Sequence, residues 1–151
     1  MRYAVAVHVL GALVWVGGMF FAHVILRPSS GSLDAAARLV LWRGVLARFF
    51  VWVWVCVVVM LASGFAMLFI AFGSAGLAPA YVQIMMMLGI LMSAIFLYVY
   101  FIPWRDLCRA LAGADSTRAQ RSLSEIRLLV TVNLVLGIAT TVIGASGPYF
   151  F

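Results

Sequence analysis

The sequence contains no lysine: all ten basic residues are arginine, set against only four acidic side chains, Asp34, Asp106, Asp115 and Glu125. Charged residues make up 9% of the 151 positions, too few to coat a water-soluble domain. Cysteine is limited to Cys56, in the middle of an apolar run, and Cys108, in an arginine-bearing connection. At different depths the two should not pair, so no disulfide framework is implied. Histidine is limited to His8 and His23, which excludes a clustered Cys/His zinc motif. There is no Gly-rich phosphate loop, no nucleophile elbow and no long low-complexity tract, and with them go the common soluble-enzyme classes. The formal charge of +6 does not imply a nucleic-acid partner, because the arginines are confined to short segments between long apolar runs.

What is present is apolar: 67% hydrophobic residues and a mean hydropathy of +1.19. Four runs stand out, about 3–26, 49–72, 80–102 and 128–145, each near the ~20 residues that carry a helix across ~30 Å of hydrocarbon. No water reaches the backbone there, so each run should be helical. The chain is expected to be all-α, a single four-helix transmembrane bundle over 1–151. Ahead of the first run stands only Arg2, with no small-residue cleavage site leading into polar sequence, so it is retained as a helix and not as a cleaved signal peptide.

Arg27, Arg38, Arg43 and Arg48 lie in the connection 27–48, and Arg105, Arg109, Arg118, Arg121 and Arg127 in the connection 103–127. Both connections should face the cytoplasm, which puts both termini outside; Arg2 alone opposes this. A multi-pass protein of a bacterial-type cytoplasmic (inner) membrane is the expectation, with the lipid bilayer as its first partner. Ser32 and Asp34 should open a helix through Ala35 to Leu46, able to continue into the second span. Ser122 and Glu125 have capping-box spacing and are expected to mark the start of helix four. Phe49, Phe50, Trp52 and Trp54 read as an interfacial aromatic belt, and Asn133 as an interhelical hydrogen-bonding residue.

Ionisable residues inside a span are functional candidates, and both histidines lie in the first one. Fifteen residues separate them, about 22 Å along a helix and about 60° around it, so one chain cannot bring both to one ion. A homodimer is the arrangement in which they would share a centre. His8, Gly11, Trp15, Gly18 and Ala22 recur at three or four residues and occupy one helix face. That face meets either a neighbouring helix, through a small-residue seam, or a planar macrocycle whose iron takes the His8 imidazole. Depth matching places His8, Met67, Met85, Met86, Met87, Thr140 and Thr141 in one outer layer. There an imidazole and a thioether would serve as axial ligands of haem, or an imidazole with two or three thioethers would hold Cu(I). At the inner layer His23 falls near Arg27, Arg43, Arg48 and Trp42, a shell suited to lipid phosphates or to the propionates of a second haem.

The stretch HVLGALVWVGGMFF from His8 to Phe21, followed by Leu26, Arg27 and Pro28, resembles the first helix of the CopD family. RFFVWVWV from Arg48, YVQIM from Tyr81, PWR from Pro103 and VNLVLGIATTVIGASGPY from Val132 are similar to its small single-domain members. The order of His8, Trp15, small residues and Phe also resembles helix one of HemJ-type protoporphyrinogen oxidases, four-helix relatives that bind haem b. The resemblance implies that His8 is a haem ligand. Gln83 stands where HemJ-like relatives have lysine and small CopD-like members have histidine, so porphyrinogen oxidation is not carried over; Met85 or Met86 would replace the missing ligand. The leading expectation is therefore a haem b redox protein passing single electrons between a membrane quinone and an acceptor. The alternative is a copper-binding or copper-transport protein using His8, Met67, Met85 and Met86, and a third reading is a cofactor-free membrane scaffold.

Overall fold

In the computed structural model, which describes residues 2–150, every apolar run is helical and four helices are long and apolar enough to cross a membrane. Helix α1 (Arg2–Phe20) continues through a π-helical turn, Phe21–Leu26, into a last turn, Arg27–Ser29. Pro28 accounts for the widening: its ring crowds the carbonyl four residues back, at Val24, and a wider turn moves that carbonyl away. Helix α2 (Ala35–Phe72) begins where the Asp34 carboxylate accepts from the Ala37 amide at 2.8 Å. It then runs unbroken for 38 residues, about 57 Å, so its first third projects beyond the hydrocarbon. The helix expected over 35–46 and the second span are thus one element. Gly73, at φ 73°, ends α2 in the left-handed conformation that glycine adopts without steric cost.

Helix α3 (Ala80–Phe101) stops at Ile102, and Pro103 opens α4 (Pro103–Ala112), where a missing amide hydrogen costs nothing. Helix α5 (Ser116–Phe150) corrects the expected fourth start. Its cap is Asp115, whose carboxylate accepts from the Arg118 amide at 3.0 Å, and Ser122 and Glu125 lie inside the helix. The capping-box spacing was overridden by tertiary contacts. Ser122 donates to Asp106 of α4 at 2.8 Å, and Glu125 accepts from the Tyr98 hydroxyl at 3.0 Å.

The helices assemble as two antiparallel pairs, α1 along α2 and α3 along α5, with α1 also touching α5 and α4 folded back on α5. The packing is inverted relative to a soluble protein: Leu13 and Ile70, 68% and 67% exposed, belong to an apolar outer surface suited to lipid. Inside, the densest packing is aromatic and lies toward the arginine-rich end. The Phe50 ring meets Phe96 at 5.7 Å and Trp104 at 5.3 Å between centroids, and Trp54 meets Tyr100 at 5.4 Å, all edge to face. Phe50 and Trp54 are therefore core contacts and not belt residues; Trp52, 61% exposed, keeps the lipid-facing role. Asn133 makes the expected interhelical bond, donating Nδ2 to the Met92 carbonyl at 3.3 Å. Both cysteines are free, Cys56 buried in α2 and Cys108 half-buried on α4.

Toward the opposite end, where both termini lie, packing thins. Beyond Val57 the buried side chains of α2 are Ser63 and Leu68, and in α3 none is buried before Met92.

Candidate functional site

The thinly packed end holds His8. Its Nδ1 lies 2.9 Å from the Ser63 hydroxyl of α2, and Ser63 donates to the Val59 carbonyl one turn back, at 2.6 Å. The single hydroxyl proton is committed to that carbonyl, so the hydroxyl oxygen accepts from His8. The Nδ1–H tautomer is the one that satisfies this contact, and it leaves Nε2 as the basic ring nitrogen. An orienting partner on one ring nitrogen with the other left basic is the arrangement of a metal-ligating histidine. Room for the ring comes from Gly64: a Cβ there would stand 3.3 Å from His8 Cε1.

The rest of the stripe on α1 does not leave a slot. A Cβ on Gly11 would stand 2.9 Å from Met60 Cγ, and the face of Gly18 is covered by the Phe49 ring. Trp15 is buried edge-on to Phe96, 6.4 Å between centroids, and the void beside it measures about 10 Å³, near one water molecule. Gly11, Trp15 and Gly18 thus form the seam between α1 and its neighbours. A macrocycle does not fit along that seam; the imidazole itself, at the loose end, has the chemistry of a ligand.

The structure disperses part of the expected outer layer. Met67 is half-buried on α2, one turn beyond Ser63 and two beyond Met60, so the three share the face that receives His8. Met85 packs instead on α5, where a Cβ on Gly144 would stand 2.7 Å from its Cε. Met86 is half-buried and Met87 is 67% exposed. The Gln83 side chain closes the start of its own helix, donating to the Ala78 carbonyl at 2.8 Å. Thr140 and Thr141 donate to carbonyls one turn back in α5. Among the described residues no three His, Cys, Asp or Glu side chains cluster, so a metal here would rely on imidazole and thioether.

His23 belongs to a second arrangement at the arginine-rich end. Its Nδ1 lies 3.0 Å from the Thr131 hydroxyl of α5, which donates to the Arg127 carbonyl at 2.8 Å, so His23 too is oriented by a hydroxyl of a neighbouring helix. His8 is tied to α2 and His23 to α5, and they do not meet. Arg48 is turned onto its own helix, Nη1 to the Gly44 carbonyl at 3.3 Å, and Arg43 is exposed. Neither joins His23. Arg127 does, and its place immediately before an apolar run made it look like topology charge alone. Ser63 was also missed, although a Ser-Gly pair inside an otherwise apolar run at the depth of His8 was a usable signal.

A four-helix membrane bundle with a single imidazole near the end bearing its termini is the class these features define. The family model described as CopD, copper resistance protein D, matches residues 43–146, more than half of the chain, and the chain belongs to that family. The match runs from within α2 to near the end of α5 and leaves out α1 with His8. No curated protein and no solved structure matches the chain.

Proposed function

We propose that this CopD-family protein binds Cu(I) at the end bearing its termini, with His8 Nε2 as the imidazole ligand and the thioethers of Met67 and Met60 as its nearest candidate co-ligands. One observation carries the reading: the Ser63 hydroxyl oxygen accepts from Nδ1–H and leaves Nε2 as the basic nitrogen, on a helix surface that presents methionine one turn to either side. Cu(I) prefers soft, low-coordinate sulfur and imidazole ligands and needs little room. The family's description as copper resistance protein D agrees with this chemistry.

Haem b on His8 is the second reading. It is favoured by the same free Nε2 and by the thin packing of α2 and α3 at this end, and it would make the protein an electron carrier between a membrane quinone and an acceptor. The likeness of α1 to HemJ-type oxidases lies outside the matched residues.

Both readings are tested on one sample: full-length protein in detergent, titrated with Cu(I) against a chromophoric chelator, with absorption spectra before and after dithionite. Near-stoichiometric Cu(I), lost in His8→Ala and weakened in Met67→Leu, supports copper binding. A Soret band that shifts on reduction and vanishes in His8→Ala, from haem-replete cells, replaces it with haem. If neither metal is retained, the scaffold reading stands.

A further inference from the structure

The cleft at the arginine-rich end has no counter-charge. Arg127 lies with its guanidinium carbon 4.7 Å from the centre of the Trp42 ring, and its Nε and Nη2 are buried with no hydrogen-bond partner. Buried guanidinium donors are almost always paired, because removing them from water without a partner forfeits their hydration with nothing to replace it. The nearest charges bearing on Arg127 are those of Arg27 and Arg38, of the same sign. Around them the helices contribute His23 from the π-helical turn of α1, Trp42 and Leu46 from α2, and Val130 from α5.

None of the four carboxylates in the chain is free to answer. Asp34 accepts from the Ala37 amide, Asp115 from the Arg118 amide, Asp106 from Arg118 and Ser122, and Glu125 from Tyr98. The Trp42 indole N–H is likewise occupied, donating to Ser30 Oγ at 3.3 Å, and it fixes the ring under Arg127. Two arginines lining one cleft, Arg27 and Arg127, with the like charge of Arg38 bearing on Arg127, two orphaned donors and an apolar floor form a site whose missing component is an anion attached to something apolar.

We propose that Arg127 and Arg27, backed by Arg38, bind the phosphate of an anionic phospholipid headgroup in this cleft, with the glycerol end of the lipid resting on Leu46 and Val130. The position is that of the bilayer interface: Arg127 immediately precedes Leu128, which is 64% exposed on the lipid side. Arg binds phosphate by paired, charge-assisted hydrogen bonds, and Nε with Nη2 is one of the two edges that make them. Arginine at this depth is also where cytoplasmic-leaflet headgroups are found. The site is independent of the metal reading, since His8 lies at the other end of the bundle.

The test uses delipidated full-length protein in detergent and native mass spectrometry with dihexanoyl phosphatidylglycerol, dihexanoyl phosphatidylcholine and inorganic phosphate as probes. The expected result is about tenfold tighter binding of the glycerol lipid than of the choline lipid, lost in Arg127→Gln and in Arg27→Gln and kept in Arg121→Gln. Displacement of the lipid by millimolar inorganic phosphate would uphold the phosphate site but assign it to the free ion. Equal binding of both lipids, or equal binding by wild type and both cleft variants, overturns the proposal. Arg27 is exposed, so Arg27→Gln decides the matter even if Arg127→Gln does not fold.

Discussion

At the scale of single residues, two hydroxyls orient two histidines, and the sequence disclosed the histidines but not the hydroxyls. His8 stood out because an imidazole in an apolar run is conspicuous; Ser63 did not, because a small polar residue in a transmembrane helix ordinarily bonds back to its own helix, and this one does that as well. Ser63→Ala frees the His8 ring without touching its lone pair. A loss of about 10- to 100-fold in metal affinity is expected, measured by the same chelator competition, while His8→Ala abolishes binding. Glycines divide by what stands opposite them. Gly147 faces Tyr81 of α3, whose Cβ would be 2.8 Å from an added methyl, whereas Gly17 meets nothing within 4 Å. Thermal unfolding in detergent should show Gly147→Ala destabilised by about 1–3 kcal/mol. Gly17→Ala should be neutral or stabilised by up to about 1 kcal/mol.

At the scale of elements, hydropathy marked the four spans, and it failed where helices leave the bilayer. The run beginning at Leu128 is part of a helix that starts at Ser116, because outside hydrocarbon the boundary is set by Asp115 as a cap and by the clasp between α4 and α5. In that clasp Asp106 accepts from Arg118 Nε at 3.1 Å and from Ser122, and makes the one ion pair among the described residues. The Arg118 and Ser122 hydrogen bonds hold the Asp106 carboxyl below its ordinary range. A carboxyl lowered by folding contributes stability that is complete above its unfolded value of about 3.9 and is lost as pH falls through the lower folded value. Amide exchange in α4 should therefore accelerate when the pH drops below about 4, and Asp106→Asn should remove that dependence. Phe50 and Trp54 show the converse limit. Aromatic residues at a span boundary suit a belt and a core equally, and only the partner rings of α3 decide between them.

At the scale of the whole molecule, the arginine pattern predicts orientation, and the native cysteines report it. Cys108 is half-buried on α4, among the arginines, and Cys56 is buried inside the bundle. A membrane-impermeant maleimide should leave intact cells unlabelled and react with Cys108 once the cytoplasmic face is opened, with Cys108→Ser as the control; labelling of intact cells would invert the topology. The family match runs from within α2 to near the end of α5, so family membership rests on the later helices and not on α1 and its π-helical turn, which carry both histidines.

The uneven distribution of packing has a mechanical side. Interlocked rings of Phe50, Trp54, Phe96 and Tyr100 clamp α2 to α3 at the arginine-rich end, while the other end is joined by the His8–Ser63 hydrogen bond and small-residue contacts. The bundle is therefore stiffest where its arginines lie and loosest around His8, so local opening costs least at the end that bears the termini.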